Sequence, residues 1–556
     1  MHRDLLKFSI KFFTLTPLRH TRHPLLIVNP SCSYRNWEYR TSARARQPTR
    51  WQLTVMLPTK TEDPDIFVVL TVDPRAIDRG IAININNEAA VEQLPIPKTM
   101  SSAEADLPPA QGTRHTLSAE EELRLEVPFL KQSTCTILLQ KGSCELWGLE
   151  LVQGKPHILT DGAFKLAFFT WHGCVIDIEC ENIDIAYTTD ETNCNIAYVN
   201  THAQLEALRD QAASSSAEGP RVLICGPTDS GKTSLLKTLT AYACKLGRTP
   251  MVVDLDTNDN TLSIPGTVSA CPLTFDALSF ETHALTGVPP GTASSLVLWH
   301  GSASQLTKEL WKAQVTALAS KIQQRAKEDA HERASGMIVN TSGSMQADGL
   351  DLLLHAIHAL SITVVLVMGH DRLYSMLKSK VDTDAIKLIK LPRSGGVVSR
   401  ESSFLRQSRI RSIKRYFYGG LVETPNASKR VPELTPFLLQ LPKDQITVYK
   451  FTSISLSASL LPVAAAQTSE AVQVEEINLQ DDSASGALQH HLMAVCHPRA
   501  VAAYNQSGQA SDLYLAGVAG FCSVERVVDD RIHLLSPCAG SLPSNVLLTG
   551  DVTWME

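Results

Sequence analysis

The sequence predicts an α/β protein in which a central domain built on a parallel sheet lies between two β-rich domains. Three observations support this fold class. Strand-like runs fill residues 116–205, apolar strands alternate with helical stretches over 206–421, and strand-like runs return over 422–556. The chain of 556 residues is also longer than one ordinary domain.

Residues 1–115 are predicted to be an extension that is disordered or not native to the folded protein. The first fifty residues carry ten lysines and arginines against Asp4 and Glu38. This composition resembles a mitochondrial presequence. The competing interpretation is a translated leader, with Met100 as the true start, because a polar and acidic stretch begins there and leads into a strand. We favour Met100, since residues 1–99 show no clear continuous periodicity.

Residues 116–205 are predicted to form an N-terminal domain resembling a small β-sandwich. Gly, Asp and Asn separate short runs of alternating or apolar residues, which is typical of such a fold. The runs are ELRLEV, CTILLQ, CELWGLELV, FKLAFFTW, CVIDIEC and IDIAYTT. A helical stretch and a polar linker, AQLEALRDQAASSSAEGP, follow them.

The segment 206–421 alternates between strands and helices, as expected of a parallel sheet covered by helices. The predicted strands are RVLICG, TPMVVDLD, SLVLWHG, GMIVNTSG, ITVVLVMG and IKLIKLP. After it, DQITVYKF, HHLMAVCHP, YLAGVAGFCSVERVV, RIHLLSP and SNVLLTGDVTWME predict a C-terminal β-rich domain. The stretch PVAAAQTSEAVQVEEINLQDDSASGA is predicted to be a loop.

The first central strand leads into the turn GPTDSGKTS, which has the spacing G-x-x-x-x-G-K-T. Its glycines let the loop curl so that backbone N–H groups face a phosphate, and the helix N-terminus adds positive charge. Lys232 can reach the β- and γ-phosphates, and the Thr233 hydroxyl can hold Mg²⁺. A strand before the turn and a helix after it argue against a chance glycine turn, so we predict a P-loop NTPase domain. The predicted nucleotide-binding residues are Gly226, Pro227, Thr228, Asp229, Ser230, Gly231, Lys232, Thr233 and Ser234.

The composition limits the kinds of ligand and partner that the protein is expected to bind. A net charge of −6 leaves no basic surface over the whole molecule, so any nucleic acid must bind a local groove. Twelve cysteines without a C-x-x-C pair predict neither a zinc site nor a disulfide framework. No apolar run approaches the roughly 20 residues of a membrane helix.

Several ordered stretches between about residues 119 and 420 make the chain resemble the Clp family of polynucleotide 5′-hydroxyl kinases and mRNA cleavage and polyadenylation factors. The stretches are EELRLEV, FFTWHGC, AYVNTH, GPRVLICGPTDSGKTS, YACKLGRTP, VDLD, SIPGTVSA, IVNTSG, DRLY, SGGVV and RYFYGG. The resemblance implies an N-terminal β domain, a kinase-like centre and a C-terminal domain, with ATP and Mg²⁺ as ligands.

The resemblance also implies roles for residues outside the P-loop. Glu122 and Lys165 match positions where the β domain contacts the nucleotide. Both would otherwise be read as solvated strand residues. Asp256 matches the acid beside Mg²⁺ and the attacking hydroxyl, which makes it a candidate catalytic residue and, with Thr233, a magnesium ligand. Asp254, two residues earlier, remains an alternative.

The basic run near the end of the central segment supplies two further candidates. Arg406 and Arg409 match the lid arginines that cover the γ-phosphate in the family. They lie three residues apart, so one helix face could present both. The run from Arg406 to Arg415 could instead be an ordinary basic helix face.

Three stretches depart from the family pattern. Asn258 and Asp259 stand where Gly and Gln are expected, and HGSASQLTKEL lacks the Pro and Gly of the T-P-G-x-N clasp. The pair Gly343–Ser344 lacks a tryptophan that could stack on a base. All three lie on the side that would hold RNA, whereas the side that would hold ATP is intact.

The leading hypothesis is an ATP-binding subunit of the nuclear pre-mRNA cleavage and polyadenylation machinery. The family implies, as partners, the cleavage-factor subunit that binds the RNA polymerase II C-terminal domain and other subunits of the complex, with a possible RNA contact and no membrane. The alternative is an active RNA 5′-hydroxyl kinase. A generic P-loop ATPase or GTPase is a third hypothesis, although MGHDRLY lacks the N-K-x-D pattern of guanine recognition.

Overall fold

The computed structural model describes two compact units, Met1–Asp106 and Leu107–Glu556. The described residues are 25–27, 53–58, 67–72, 112–128, 134–160, 163–180, 182–284, 295–304, 306–343, 347–423, 430–453 and 472–555. In the first unit, the strands Leu25–Ile27, Leu53–Pro58 and Phe67–Val72 form one sheet. The sequence pattern did not predict them, although Phe67–Val72 is rich in β-branched residues. Met100 and most of the predicted extension lie outside the described residues.

The second unit begins with two facing sheets. The first contains, in order, Ile185–Thr189, Glu122–Val127, Phe164–Phe169, Glu145–Leu146 and Leu149–Glu150. The second contains Thr113–Leu117, Cys174–Cys180, Thr134–Gly142 and Pro156–Thr160. Alternate side chains such as Leu123, Leu125 and Ile137 are fully buried between them, as expected of a sandwich. The sequence missed Thr113–Leu117 and Pro156–Thr160.

The central sheet has seven strands. Their order is Leu296–Trp299, Thr267–Pro272, Met251–Asp254, Met337–Asn340, Arg221–Cys225, Val364–Met368 and Lys387–Leu391. The last five are parallel, whereas Thr267–Pro272 pairs antiparallel with both of its neighbours. The segment 255–266 before it contains no helix, and parallel neighbours normally require a helical crossover. The sheet is therefore mixed at one edge and parallel, as predicted, over the rest.

The helices of this part of the chain cover both faces of the sheet, except that Phe280–Ala284 packs on the sandwich and Ser402–Tyr418 places Ile413 and Phe417 in the core of the C-terminal sheet. They are Asn193–Ser215, Lys232–Lys245, Phe280–Ala284, Lys308–Glu328, Ala330–Ser335, Ala347–Ala359, Asp371–Lys378 and Ser402–Tyr418, with a 3₁₀ turn at Phe275–Ala277. We call Lys232–Lys245 the P-loop helix and Ser402–Tyr418 the lid helix. Buried strand residues alternate between two cores, with Leu223 on one face and Val222 on the other. The helix Asn193–Ser215 crosses the predicted boundary at 205/206.

A second seven-stranded sheet forms the C-terminal part. Its order is Phe437–Pro442, Arg531–Ser536, Val518–Val528, His491–Cys496, Val546–Thr553, Thr447–Ser453 and Val472–Ile477. Short helices Asp482–Gly486, Pro498–Ser507 and Ser511–Tyr514, a 3₁₀ turn at Lys443–Gln445 and the strand pair Leu421–Glu423 and Arg430–Pro432 complete it. The sequence missed Phe437–Pro442, and part of the predicted loop is the strand Val472–Ile477, whose VQVEEI run has only partial alternation. Residues 462–471 of that predicted loop lie outside the described residues.

The C-terminal sheet packs directly on the central domain. Gly301 follows the edge strand Leu296–Trp299, and its carbonyl accepts a hydrogen bond from the Asp551 N–H at 2.6 Å. A Cβ atom on Gly550 would lie 1.8 Å from the Gly301 oxygen, so the two backbones meet without room for a side chain. Within the described residues, no helix has the length and apolarity to cross a membrane.

Candidate functional site

A deep cleft lies between the β-sandwich, the P-loop and the lid helix. Its cavity volume is about 280 Å³, far more than the roughly 10–15 Å³ that a single buried water needs. The P-loop residues that line it are Thr228, Asp229, Ser230, Gly231, Lys232, Thr233 and Ser234. Glu122 and Lys165 of the sandwich and Asp256 of the central sheet also line it. The fold therefore gathers at one place most of the residues predicted from separate parts of the sequence.

The P-loop turns tightly into the helix that follows it. Gly231 has φ +88° immediately before the P-loop helix, a conformation that favours glycine. The Lys232 ammonium donates to the Pro227 carbonyl at 2.7 Å, so it folds back over the loop. Burial lowers the pKa of Lys232, which marks a cation held in a poorly solvated place. The hydroxyl oxygen of Ser230 is buried with no hydrogen-bond partner, so the loop retains an unused polar group.

The two aspartates after the strand Met251–Asp254 have different surroundings. Asp254 is fully buried and accepts hydrogen bonds from Asp256 N–H, from the amide and hydroxyl of Thr261, and from the Asn340 side chain. Burial raises the pKa of Asp254 to about 6. Both carboxylate oxygens of Asp254 are thus occupied by hydrogen bonds from the protein itself. Asp256 lines the cleft, and burial also raises its pKa. Of the two alternatives, Asp256 is the carboxylate placed to meet a ligand.

The NT-x-G stretch fastens the P-loop to its neighbouring strands. The Thr341 hydroxyl donates to the Ile224 carbonyl at 2.8 Å, and Asn340 holds Asp254 at 3.1 Å. A Cβ atom on Gly343 would come within 2.5 Å of the Thr228 nitrogen. Glycine is therefore required at 343 for this close approach, and Gly343 forms part of the cleft wall. Ser344, which replaces the expected tryptophan, lies outside the described residues.

Arg400, just before the lid helix, joins the P-loop to the loop that carries Asp259. Its guanidinium contacts Asp229 at 2.7 Å and Asp259 at 2.6 Å, and its backbone N–H donates to Asp229 at 3.0 Å. Although burial opposes ionisation, the hydrogen bonds and charge of Arg400 lower the pKa of Asp229. On the lid helix, Arg409 donates to the Asn258 side chain. Asn258 and Asp259 thus both bind arginines of the lid segment, by which we mean Arg400 and the lid helix.

The sandwich contributes two ion pairs to the cleft wall. Glu122 is buried and accepts a hydrogen bond from Arg124 at 2.7 Å. A Cβ atom on Gly396 would lie 2.8 Å from the Arg124 Nε, so the SGG stretch passes closely over this pair. Lys165 pairs with a second carboxylate, Glu126, at 2.5 Å. The two sandwich residues proposed as nucleotide contacts are therefore ordered by partners of their own.

Some predicted residues lie elsewhere. Arg406 is exposed and does not line the cleft, and Arg409 reaches only its edge through Asn258. Gly226 and Pro227 belong to the P-loop but do not line the cleft. The HGS segment that replaces the clasp lies against Gly550 rather than in the cleft. The sequence pattern missed Arg400, which lies outside the periodic helix and whose two acidic partners are 141 and 171 residues away.

Successive parts of the chain match three families of domains. Residues 116–212 match the N-terminal beta-sandwich domain of polyadenylation factor, residues 226–419 match the P-loop of mRNA cleavage and polyadenylation factor CLP1, and residues 434–556 match pre-mRNA cleavage complex II protein Clp1. An Arabidopsis thaliana protein described as protein CLP1 homolog is 33% identical over 453 residues, which cover 79% of this chain and 94% of that protein. The chain belongs to the Clp1 family.

Members of the Clp1 family carry two kinds of name. A protein of Emericella nidulans, named mRNA cleavage and polyadenylation factor clp1, is 31% identical over 81% of this chain and 96% of its own length. A protein of Danio rerio, named polyribonucleotide 5′-hydroxyl-kinase Clp1, is 31% identical over 80% of this chain and 95% of its own length. The family resemblance predicted from the sequence is confirmed.

A solved structure supports the same fold. Clp1p in the wild-type Clp1p–Pcf11p complex has a TM-score of 0.63 to this chain, with 21% identity, covering 80% of this chain and 98% of that one. The predicted fold class, a P-loop domain flanked by a β-sandwich and a β-rich domain, is confirmed. The central domain is a nucleotide-binding domain of the P-loop type.

Proposed function

We propose that this chain is an ATP-binding subunit of the nuclear pre-mRNA cleavage and polyadenylation machinery and holds its nucleotide rather than spending it on RNA. The observation that carries the proposal is the ion pair between Arg400 and Asp259. The phosphate cradle is complete, whereas the position expected to hold glutamine carries a carboxylate that binds an arginine of the lid segment. The ATP side is preserved and the RNA side is altered.

ATP and Mg²⁺ fit the groups on the cleft wall. Lys232, the N-terminus of the P-loop helix and the Thr228–Ser234 backbone suit a polyphosphate. Thr233 and Asp256 offer the oxygen ligands that Mg²⁺ prefers, and this ion commonly completes its shell with water and phosphate. Glu122 and Lys165 would lie against the nucleoside end. Bound nucleotide would connect the sandwich to the central domain and stabilise both by mass action.

The proposed partners follow from relatives. The Clp1p of the solved complex binds Pcf11p, and other relatives are named as cleavage and polyadenylation factors. We extend this to a cleavage-factor subunit that binds the RNA polymerase II C-terminal domain, and to other subunits of that complex in the nucleus. The proposed domains are 116–205, 206–421 and 422–556, with the helix Asn193–Ser215 spanning the first boundary.

A direct test is mass analysis of the full chain purified without added nucleotide. Intact ATP, near one molecule per chain, is the expected result. A parallel assay offers γ-labelled ATP and a 5′-hydroxyl oligoribonucleotide, with Lys232→Ala as the blank. Robust labelling that disappears in the blank would put the RNA 5′-hydroxyl kinase first, the function named for the Danio rerio relative. In that case Asp256 and the lid arginines would be the catalytic candidates.

A further inference from the structure

Two cations of the cleft have no assigned role. Three cations of the cleft, Arg124, Lys165 and Arg400, form the ion pairs with carboxylates described above. Lys232 belongs to the P-loop. Lys237 and Arg411 also line the cleft, and no ion pair among the described residues joins either of them to a carboxylate.

Lys237 lies on the P-loop helix, one turn beyond Thr233. Its ammonium donates to the His283 carbonyl at 2.5 Å and sits 4.8 Å from the centre of the Trp147 ring. A carbonyl and a ring face position a cation without neutralising it. Burial lowers the pKa of Lys237 to about 8, so the side chain remains mostly protonated at pH 7.

Arg411 approaches the cleft from the lid helix. It is buried, its Nη1 donates to the Ala163 carbonyl at 2.8 Å, and its Nε has no hydrogen-bond partner. The guanidinium lies 5.7 Å from the centre of the Phe164 ring. Within the part of the chain that the structure describes, the Nε–H is therefore a buried donor left without an acceptor. A buried guanidinium left in this state is costly unless an anion completes its hydrogen bonds.

The carboxylate whose charge acts most strongly on both cations is Asp259, and it is already bonded to Arg400 at 2.6 Å. We infer that Lys237 and Arg411 form a second phosphate-binding site in the cleft, beside the P-loop cradle. The occupant is a phosphate group, either of an RNA strand or free in solution. The inference rests on the proposed function only in that ATP is taken to fill the P-loop.

The test uses the full chain saturated with a non-hydrolysable ATP analogue and Mg²⁺, so that the P-loop cannot bind the probe. Fluorescence anisotropy measures binding of a labelled 5′-hydroxyl oligoribonucleotide at several salt concentrations. Lys237→Gln and Arg411→Gln should each weaken binding about tenfold. Each should also lower the slope of log affinity against log salt by about 0.7. Arg411→Lys should recover part of the loss, because it keeps the charge.

Lys245→Gln is the matched control. Lys245 is exposed at the far end of the same helix and outside the cleft, so its loss should leave affinity and slope unchanged. In a second arm, millimolar inorganic phosphate should raise the melting temperature of the unmodified chain but not of Lys237→Gln. Stabilisation by phosphate without RNA binding would support the site and assign free phosphate as its occupant.

The remaining outcomes separate the two proposals. A chain that retains ATP but responds to neither probe would overturn the second site and leave the ATP-holding function intact. Equal RNA affinity in the unmodified chain and in both Gln variants would also overturn it. Conversely, a chain that retains no ATP but loses RNA binding in Lys237→Gln and Arg411→Gln would support the site and contradict the ATP-holding function.

Discussion

Asp259 and Arg400 form an ion pair 2.6 Å long between the loop after the second central strand and the segment before the lid helix. Asp259 stands where the family pattern has glutamine. A carboxylate at that position would repel phosphates if it were alone, and Arg400 compensates its charge. Because Arg400 also binds Asp229 of the P-loop, these three residues join the P-loop to the lid segment, and we call them the Arg400 bridge.

Removal of the Arg400 bridge should speed nucleotide release. In Arg400→Ala, the lid segment loses its two ionic contacts, so a fluorescent ATP analogue should dissociate about tenfold faster in stopped-flow measurements. Asp259→Asn should show part of the same effect, and the double variant should be no faster than Arg400→Ala, because both changes break one network. Lys390→Ala, which breaks an exposed ion pair outside the cleft, is the control. Release rates equal to that of the unmodified chain in all variants would contradict the role of the Arg400 bridge.

Lys232→Ala and Thr233→Ala should reduce ATP retention and lower thermal stability. Both side chains lie on the cleft wall at the start of the P-loop helix, where the polyphosphate and Mg²⁺ would bind. A ligand at 100 times its Kd stabilises a protein by about 2.7 kcal/mol, and the variants should forfeit most of this. Calorimetry with and without Mg-ATP measures the loss. Nucleotide content and melting temperatures identical to the unmodified chain would remove the P-loop from the proposed function.

RNA kinase activity of the unmodified chain should be very low. Loss of a positioned donor such as the expected glutamine costs about 10²–10³ in rate at comparable sites. Asn258→Gly combined with Asp259→Gln should raise activity, because glutamine restores a donor and releases Arg400 from its carboxylate. Phosphate transfer to a 5′-hydroxyl oligomer measures this, with Lys232→Ala as the blank. Strong activity before the substitutions would favour the kinase hypothesis.

The stability of the fold should fall between pH 5 and 8 through Glu145. This residue is buried and accepts a hydrogen bond from the Tyr242 hydroxyl at 2.5 Å, and burial raises its pKa to about 7. The folded chain therefore keeps a proton that the unfolded chain releases near pH 4.5, so stability is lost as pH rises through the folded pKa. Glu145→Gln keeps the acceptor oxygen and removes the titration.

Chemical denaturation at pH 5 and at pH 8 tests this effect. The unmodified chain should lose up to about 2–3 kcal/mol more over this range than Glu145→Gln does. Other titrating groups contribute to both proteins and cancel in the difference. The same pH dependence in both proteins would show that Glu145 does not keep its proton in the folded state.

The sequence predicted the fold best where local signals are strong. The P-loop between Arg221–Cys225 and Lys232–Lys245 has a fixed glycine spacing and a strand and helix around it. The antiparallel strand Thr267–Pro272 was missed, because the connection 255–266 before it contains no helix and so breaks the alternation of strands and helices on which the prediction rests. Phe437–Pro442 was missed because an edge strand has little alternation to reveal it, and its Phe437 is exposed.

The candidate site was predictable residue by residue but not contact by contact. The family pattern pointed to Glu122, Lys165 and Asp256, and all three lie on the cleft wall. It could not indicate that Arg400 binds Asp229 and Asp259, because this contact depends on the folded path of the lid segment. It also could not distinguish Asp254 from Asp256, because strand alternation places both on one side, and only the loop hydrogen bonds separate them.

The cleft wall draws on two domains that the chain encodes about sixty residues apart, the sandwich strand Phe164–Phe169 and the P-loop. Neither domain supplies the whole cleft wall by itself. An exchange of either domain by recombination would join a cradle to a wall shaped for a different ligand. A substitution on one side of the cleft therefore bears on which substitutions on the other side are compatible with the same ligand.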